Sequence, residues 1–193
     1  MLSRHGRGFS LIELMVTLTL LGVLLAAAIP AFGTWTANAR VRSVAESIQN
    51  GLRLAQTEAV RQNRQTVFAL TNETPALGAT LVADGSNWFI QTLPLVAGDP
   101  VRFIQGGTFA KQSGVSVAGA ALLCFNSTGR QVTNTATGLG FDCTAPAVAT
   151  TPSEFNVTKT GSADRRLRVQ VFLGGRIRMC DRDKNIATQP DGC

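Results

Sequence analysis

Hydrophobic residues along this chain fall into three regimes. From Phe9 to Phe32 they are almost continuous, from Val41 to Ala59 they recur at helical spacing, and from Thr66 onward they come in short runs broken by Gly, Pro, Asn and Ser. The first regime is long and apolar enough for a membrane helix, which needs about 20 residues. In the second, Val41, Val44, Ala45, Ile48, Leu52, Ala55 and Ala59 share one face, while Arg42, Glu46, Arg53 and Arg61 take the other. That is the stripe of an amphipathic helix laid on a core. Together the two regimes predict one helix over residues 9–64, bent at Pro30, whose ring removes a backbone donor and crowds the preceding turn.

The third regime predicts strands in "TVFAL", "NWFIQTL", "VRFIQ", "VSVA", "LLCFN", "EFNVTK", "RRLRVQVFL" and "RIRMC". No helical period returns. The stretch from Gly129 to Ser153 is poor in large apolar residues and reads as an exposed, variable loop pinned by a disulfide. The fold class that follows is α+β. A long N-terminal helix, transmembrane in its first half (residues 9–33) and amphipathic in its continuation (34–65), packs on an antiparallel β domain (66–193) of two small sheets.

Parity constrains the turn inside "RRLRVQVFLGGRIRMCDRDK". Leu167, Val169, Val171 and Leu173 alternate with Arg166, Arg168, Gln170 and Phe172, and the alternation resumes with Ile177 and Met179 after the glycine pair. A two-residue Gly174-Gly175 loop would set Leu173 against Arg176 and put arginines on the core face. An odd, three-residue loop sets Leu173 against Ile177 and Val171 against Met179. The odd loop also groups Arg166, Arg168 and Arg178 on the solvent face, with Arg176 at the turn.

Charge sharpens interest in that hairpin. The chain carries a formal net charge of +6, and the window Lys159–Lys184 holds Lys159, Arg165, Arg166, Arg168, Arg176, Arg178, Arg182 and Lys184 against Asp164, Asp181 and Asp183. Exposed guanidinium forks on a rigid scaffold suit phosphate binding, and sequence-independent DNA binding needs little more. The alternative is a solvated strand face whose charges protect a sheet edge. The four cysteines, Cys124, Cys143, Cys180 and Cys193, show no metal-ligand spacing. An export-type N-terminus places them in an oxidising compartment as disulfides. The pairing Cys124–Cys143 and Cys180–Cys193 closes the two shortest loops, each worth roughly 3 kcal/mol. His5 is the only histidine. Neither a nucleophile motif nor a phosphate loop is present, so no catalytic residue, metal or cofactor is expected and the chain does not read as an enzyme.

The stretch "GFSLIELMVTLTLLGVLLAAAIP" poses its own problem, because Glu13 lies inside an apolar run. An ordinary secretory signal cut after Ala28 is one reading. Against it stand the internal charge, which costs about 3 kcal/mol on insertion scales, and a helical pattern that continues past Ala28. Gly8, Phe9, Glu13, the apolar run and Pro30 resemble the class III signal of type IV pilins and of the pseudopilins of type II secretion. The resemblance implies that residues 1–8 are a leader removed by a prepilin peptidase after Gly8, and that Phe9 is N-methylated. It also implies that Glu13 meets the N-terminal amine of a neighbouring subunit in a filament. The late β domain, glycine hairpin and C-terminal cysteine pair are similar to the H-type pseudopilin and FimT–FimU minor pilin family. In FimT-like members a G-R-x-R element binds DNA during natural transformation, and "GRIR", Gly175 to Arg178, matches it. Arg176 and Arg178 are then the DNA contacts, with Arg166, Arg168, Arg182 and Lys184 in support. The implied partners are major and minor pilins, the peptidase, the inner membrane before assembly and double-stranded DNA. The implied location is the bacterial inner membrane with a periplasmic domain, then an extracellular pilus. A structural priming or adaptor pilin without DNA binding, and an H-type pseudopilin of type II secretion, are the alternatives.

Overall fold

The computed structural model describes residues 8–96, 98–109, 114–159 and 165–193, without the side chains of residues 27, 28, 30 and 31. Residues 1–7, with Arg4, His5 and Arg7, and the hairpin-flanking Asp164 lie outside the described residues. Helix α1 spans Leu11–Arg61 and is unbroken through Pro30. Ser10 opens it, accepting a hydrogen bond from the Glu13 backbone N–H at 3.3 Å, and Ser-x-x-Glu is the spacing of a capping box. Asn63 closes it in a left-handed conformation, φ 48°, with Arg64 N–H donating to the Ala59 carbonyl at 3.2 Å. The helix therefore stops at Arg61 rather than at the expected Arg64.

The chain divides after Ala37 into two compact units. In the first, Phe9, Ile12, Leu18, Leu25, Ile29 and Phe32 are all more than half exposed. Among the described residues, no helix is long and apolar enough to cross a membrane.

The second unit, Asn38–Cys193, holds nine strands among the described residues. They are β1 (Thr66–Thr71), β2 (Asn87–Thr92), β3 (Phe103–Thr108), β4 (Val115–Ala118), β5 (Leu122–Phe125), β6 (Gln131–Val132), β7 (Ser153–Lys159), β8 (Leu167–Val171) and β9 (Ile177–Asp181). They form two antiparallel sheets in the orders β3-β2-β1-β5-β6 and β4-β7-β8-β9, the α+β architecture that the three hydrophobic regimes predict. The predicted stripe Val41, Val44, Ala45, Ile48, Leu52, Ala55 and Ala59 is buried throughout and forms one core with side chains of both sheets. Phe68 of β1 ties the sheets together, stacking on Trp88 of β2 at 5.5 Å and meeting Phe155 of β7 edge-on at 5.7 Å. Gly51 lets the helix approach this cluster, because a Cβ there would lie 2.8 Å from the Phe68 ring.

A second core fills the opposite face of the larger sheet, with Val67, Ala69, Phe89, Leu93, Leu122 and the bonded pair Cys124–Cys143. Burial on both faces explains why "TVFALT" is buried at every position rather than at alternate ones. The stretch expected as an exposed loop helps to build this layer. It contributes β6, an antiparallel bridge between Asn134 and Cys143, and buried Gln131, Thr137 and Cys143. Low apolar content hid it, since a disulfide and backbone hydrogen bonds, not large side chains, hold it down.

Candidate functional site

The basic hairpin is β8 and β9. Val171 pairs with Ile177, Val169 with Met179 and Leu167 with Asp181. Phe172 and Arg176 close the loop, with Phe172 N–H donating to the Arg176 carbonyl at 3.0 Å and Gly175 N–H to the Phe172 carbonyl at 2.8 Å. The loop is thus odd, as the parity argument requires, but its residues are Leu173, Gly174 and Gly175, and the predicted pairs Leu173–Ile177 and Val171–Met179 are displaced. The reason is the left-handed residue that a three-residue loop needs at its end. Gly175 supplies it with φ 88°, which draws Arg176 into the closing pair.

Gly175 has a second constraint. A Cβ on it would collide with the Gly129 carbonyl oxygen and the Gln56 side-chain amide. Gln56, on α1, donates from Nε2 to the carbonyls of both Gly129 (2.7 Å) and Gly175 (2.9 Å). Gln131 N–H donates to the Leu173 carbonyl at 3.1 Å. The hairpin apex is therefore fixed to the helix and to the turn between β5 and β6.

Arg168 and Arg178 share the outer face, diagonal to one another, since Arg168 faces Cys180 and Arg178 faces Gln170. Most of the basic residues are engaged. Arg168 meets Glu154 at 2.9 Å and donates to Asn156 Oδ1 at 2.8 Å. Arg166 is paired with Asp183, donating from Nε at 3.0 Å. Arg178 is half-buried and donates to the Gly192 carbonyl. Lys184 Nζ lies 2.5 Å from Asp191, and Arg165 lies 3.3 Å from Asp181 and 3.6 Å from Asp191. Cys180–Cys193 fastens this C-terminal loop, whose Gly192 bridges Asp181 at the end of β9. The window count had weighed the cations against Asp164, Asp181 and Asp183. The fold adds Glu154 from a neighbouring strand and Asp191 from the loop.

The hydrogen bond from Arg166 holds the Asp183 carboxyl below the usual carboxylate range, and that from Lys184 does the same for Asp191. A lowered folded-state value stabilises the pair above the ordinary carboxylate pKa of about 4 and is lost as pH falls through the lowered value. These contacts are therefore intact across neutral pH.

Two predicted DNA contacts differ from the rest. Arg176 is exposed, with its guanidinium carbon 4.0 Å from the Phe172 ring centroid, and forms no ion pair among the described residues. Arg182 is exposed beyond β9 and acts on Asp183 only through its charge. The residues that sequence reasoning missed are Gln56 and Arg130. Gln56 lies beside the apolar stripe with no local signal. Arg130 follows Gly129 in a Gly-Arg turn like that of Gly175-Arg176, and that repeat was legible.

At the other end of the chain, Phe9 is 82% exposed, and Gly8 is exposed beside it. The Glu13 backbone N–H donates to Ser10 Oγ at 3.3 Å.

The family model described as prokaryotic N-terminal methylation motif matches residues 3–29, and that described as type II transport protein GspH matches residues 44–175. A search of the curated proteins found no match. Among solved structures, the type IV minor pilin FimU of Pseudomonas aeruginosa (strain PAO1) is similar at 17% identity, covering 78% of this chain and 98% of that one, with a TM-score of 0.51. The minor pseudopilin EpsH from the type 2 secretion system of Vibrio cholerae is 15% identical over 75% of this chain and 99% of that one, with a TM-score of 0.48. The FimU likeness bears on the fold, one long helix with two antiparallel sheets. With more than half of its length matched by one family model, and with an N-terminal methylation motif matched before it, the chain belongs to the GspH family of type II transport proteins.

Proposed function

We propose that this chain is a minor pilin of a type IV pilus, held at the bacterial inner membrane with its domain in the periplasm until it is assembled. The observation that carries this reading is a contrast. The domain closes two cores, whereas the stretch from Phe9 to Trp35 exposes apolar side chains all round. A helix apolar all round needs cover, which lipid supplies before assembly and the helices of neighbouring pilins supply afterwards. On this reading a prepilin peptidase removes residues 1–8 after Gly8, and Phe9 becomes the N-methylated first residue. Glu13 keeps its carboxylate free of the Ser10 cap, which uses only its backbone, so the charge is available to a neighbour's N-terminal amine. Members of this family are structural rather than enzymatic subunits.

FimU, a type IV minor pilin by name, supports a place in a pilus. The GspH match supports an H-type pseudopilin of type II secretion as the second reading. Mass spectrometry of the mature chain tests the processing, with an N-terminus at a methylated Phe9 expected. Deleting the gene separates the systems: lost or sparse pili support the pilus, and a secretion defect with normal pili overturns it in favour of the pseudopilus.

To the structural role we add DNA binding by the hairpin, supported by Arg176 and Arg182, which stand exposed at its two ends. Arg166, Arg168, Arg178 and Lys184 would first have to leave the partners described above, so they are secondary contacts. Arg176→Gln/Arg182→Gln, which spares the Gly192 carbonyl contact, is the variant to compare with wild type for DNA uptake. Loss of uptake with normal pili supports the addition, and unchanged uptake removes it.

A further inference from the structure

We infer that the DNA-binding unit is a pair of packed Gly-Arg turns, Gly129-Arg130 and Gly175-Arg176, in which Arg130 is a phosphate contact equal in rank to Arg176. This rests on the reading that the hairpin binds DNA. The two turns are built alike. Each has a glycine in the left-handed region, φ 74° at Gly129 and φ 88° at Gly175, and each glycine is followed by an exposed arginine. They come from different sheets, one joining β5 to β6 and the other β8 to β9. Three contacts bring them together: Gln56 Nε2 bonds both glycine carbonyls, Gly175 packs on the Gly129 carbonyl, and Gln131 N–H bonds the Leu173 carbonyl. Arg130, between Gly129 and Gln131, is thereby held level with the hairpin loop.

Charge identifies the occupant. Of the basic residues around the hairpin, Arg165, Arg166, Arg168 and Lys184 already have carboxylate partners, and Arg178 has a carbonyl. Arg130, Arg176 and Arg182 have no carboxylate within ion-pair distance among the described residues, and of the three only Arg130 and Arg176 stand on the packed turns. Arg130 also lines an open groove of about 710 Å³ with Thr128, Thr133 and Leu173. The Thr133 hydroxyl accepts from Ala145 N–H at 3.1 Å and keeps its proton to donate. Two unneutralised guanidinium forks on a fixed backbone, beside a groove with a hydroxyl donor, suit the phosphate oxygens of a nucleic-acid backbone. Nothing in the arrangement reads base edges, so binding is independent of sequence.

The test uses the full chain in non-ionic detergent and a fluorescein-labelled, mixed-sequence DNA duplex, followed by anisotropy at several salt concentrations. The variants are Arg130→Gln, Arg176→Gln, the double change, and Arg102→Gln. Arg102 is exposed at the far edge of the five-stranded sheet and controls for net charge. Circular dichroism confirms that each variant is folded. Arg130→Gln and Arg176→Gln should each weaken binding about tenfold, as loss of a charge-assisted phosphate contact does, and lower the salt slope by about 0.9. Arg102→Gln should bind as wild type. If Arg130→Gln also binds as wild type while Arg176→Gln is weakened, the paired-turn site is wrong and the hairpin reading stands. Equal losses in all three single variants leave only a diffuse charge effect and overturn the site. A folded wild-type chain that binds no DNA overturns the site and the hairpin reading together.

Discussion

Gly175 shows how one residue can serve a motif for reasons unrelated to the motif's chemistry. In "GRIR" it looks like part of an anion-binding signature, yet its own constraints are conformational and steric. It takes φ 88° to end the three-residue loop and leaves no room for a Cβ against Gly129 and Gln56. A left-handed non-glycine residue costs about 1–3 kcal/mol, and the collision adds to that. Gly175→Ala should therefore lower stability by roughly 2 kcal/mol or more, read as a fall in the denaturation midpoint, with the charge of the hairpin untouched. An unchanged midpoint would mean that the apex is not packed as described. Arg178, two residues beyond Arg176, shows the converse. Strand alternation puts it on the outer face, but its hydrogen bond to the Gly192 carbonyl makes it a fastener of the C-terminal loop.

At the scale of elements, α1 carries two kinds of surface in one continuous helix, and its sequence distinguishes them. The run up to Phe32 is apolar on all sides and exposed, whereas the stripe from Val41 to Ala59 is apolar on one side and buried. That stripe is the common floor of both sheets, so a cavity in it is felt by both. Leu52, fully buried in the main core, should cost about 2–5 kcal/mol when changed to Ala. Thermal unfolding followed by near-ultraviolet circular dichroism would check this, since the stacked Phe68–Trp88 pair in the same core reports on packing. A loss well below 1 kcal/mol would place Leu52 outside a tight core. The strands divide in a similar way. In β8, apolar Leu167, Val169 and Val171 are buried on the core face, while the other face carries half-buried Arg168 and buried Gln170. In β1 and β2 every position is buried, because the disulfide-held layer around Cys143 covers their second face.

For the whole molecule, the two disulfides staple regions with few large apolar residues. Cys124–Cys143 fixes the second core layer, and Cys180–Cys193 fixes the loop whose Asp191 and Gly192 occupy Lys184, Arg165 and Arg178. With a sequence separation of 13 residues, removing the second bridge by Cys180→Ser/Cys193→Ser should cost about 3 kcal/mol on the chain-entropy account. Proteolysis should then begin within residues 182–193, and a loop that stays protected would contradict this arrangement. The sequence by itself determined what depends on neighbours along the chain. Hydrophobic periods specified the helix, its buried stripe and eight of the strands, and parity ruled out a two-residue hairpin loop. The Gly8–Phe9–Glu13 signature placed the chain near the pilins. Only the tertiary structure decided what depends on residues far apart in sequence. It set which loop residue is left-handed, which acids neutralise which arginines, and that Gln56 draws two Gly-Arg turns together across separations of 73 and 119 residues. Local pattern records the face on which a side chain emerges. It carries no record of the partner waiting there, because that partner arrives through packing.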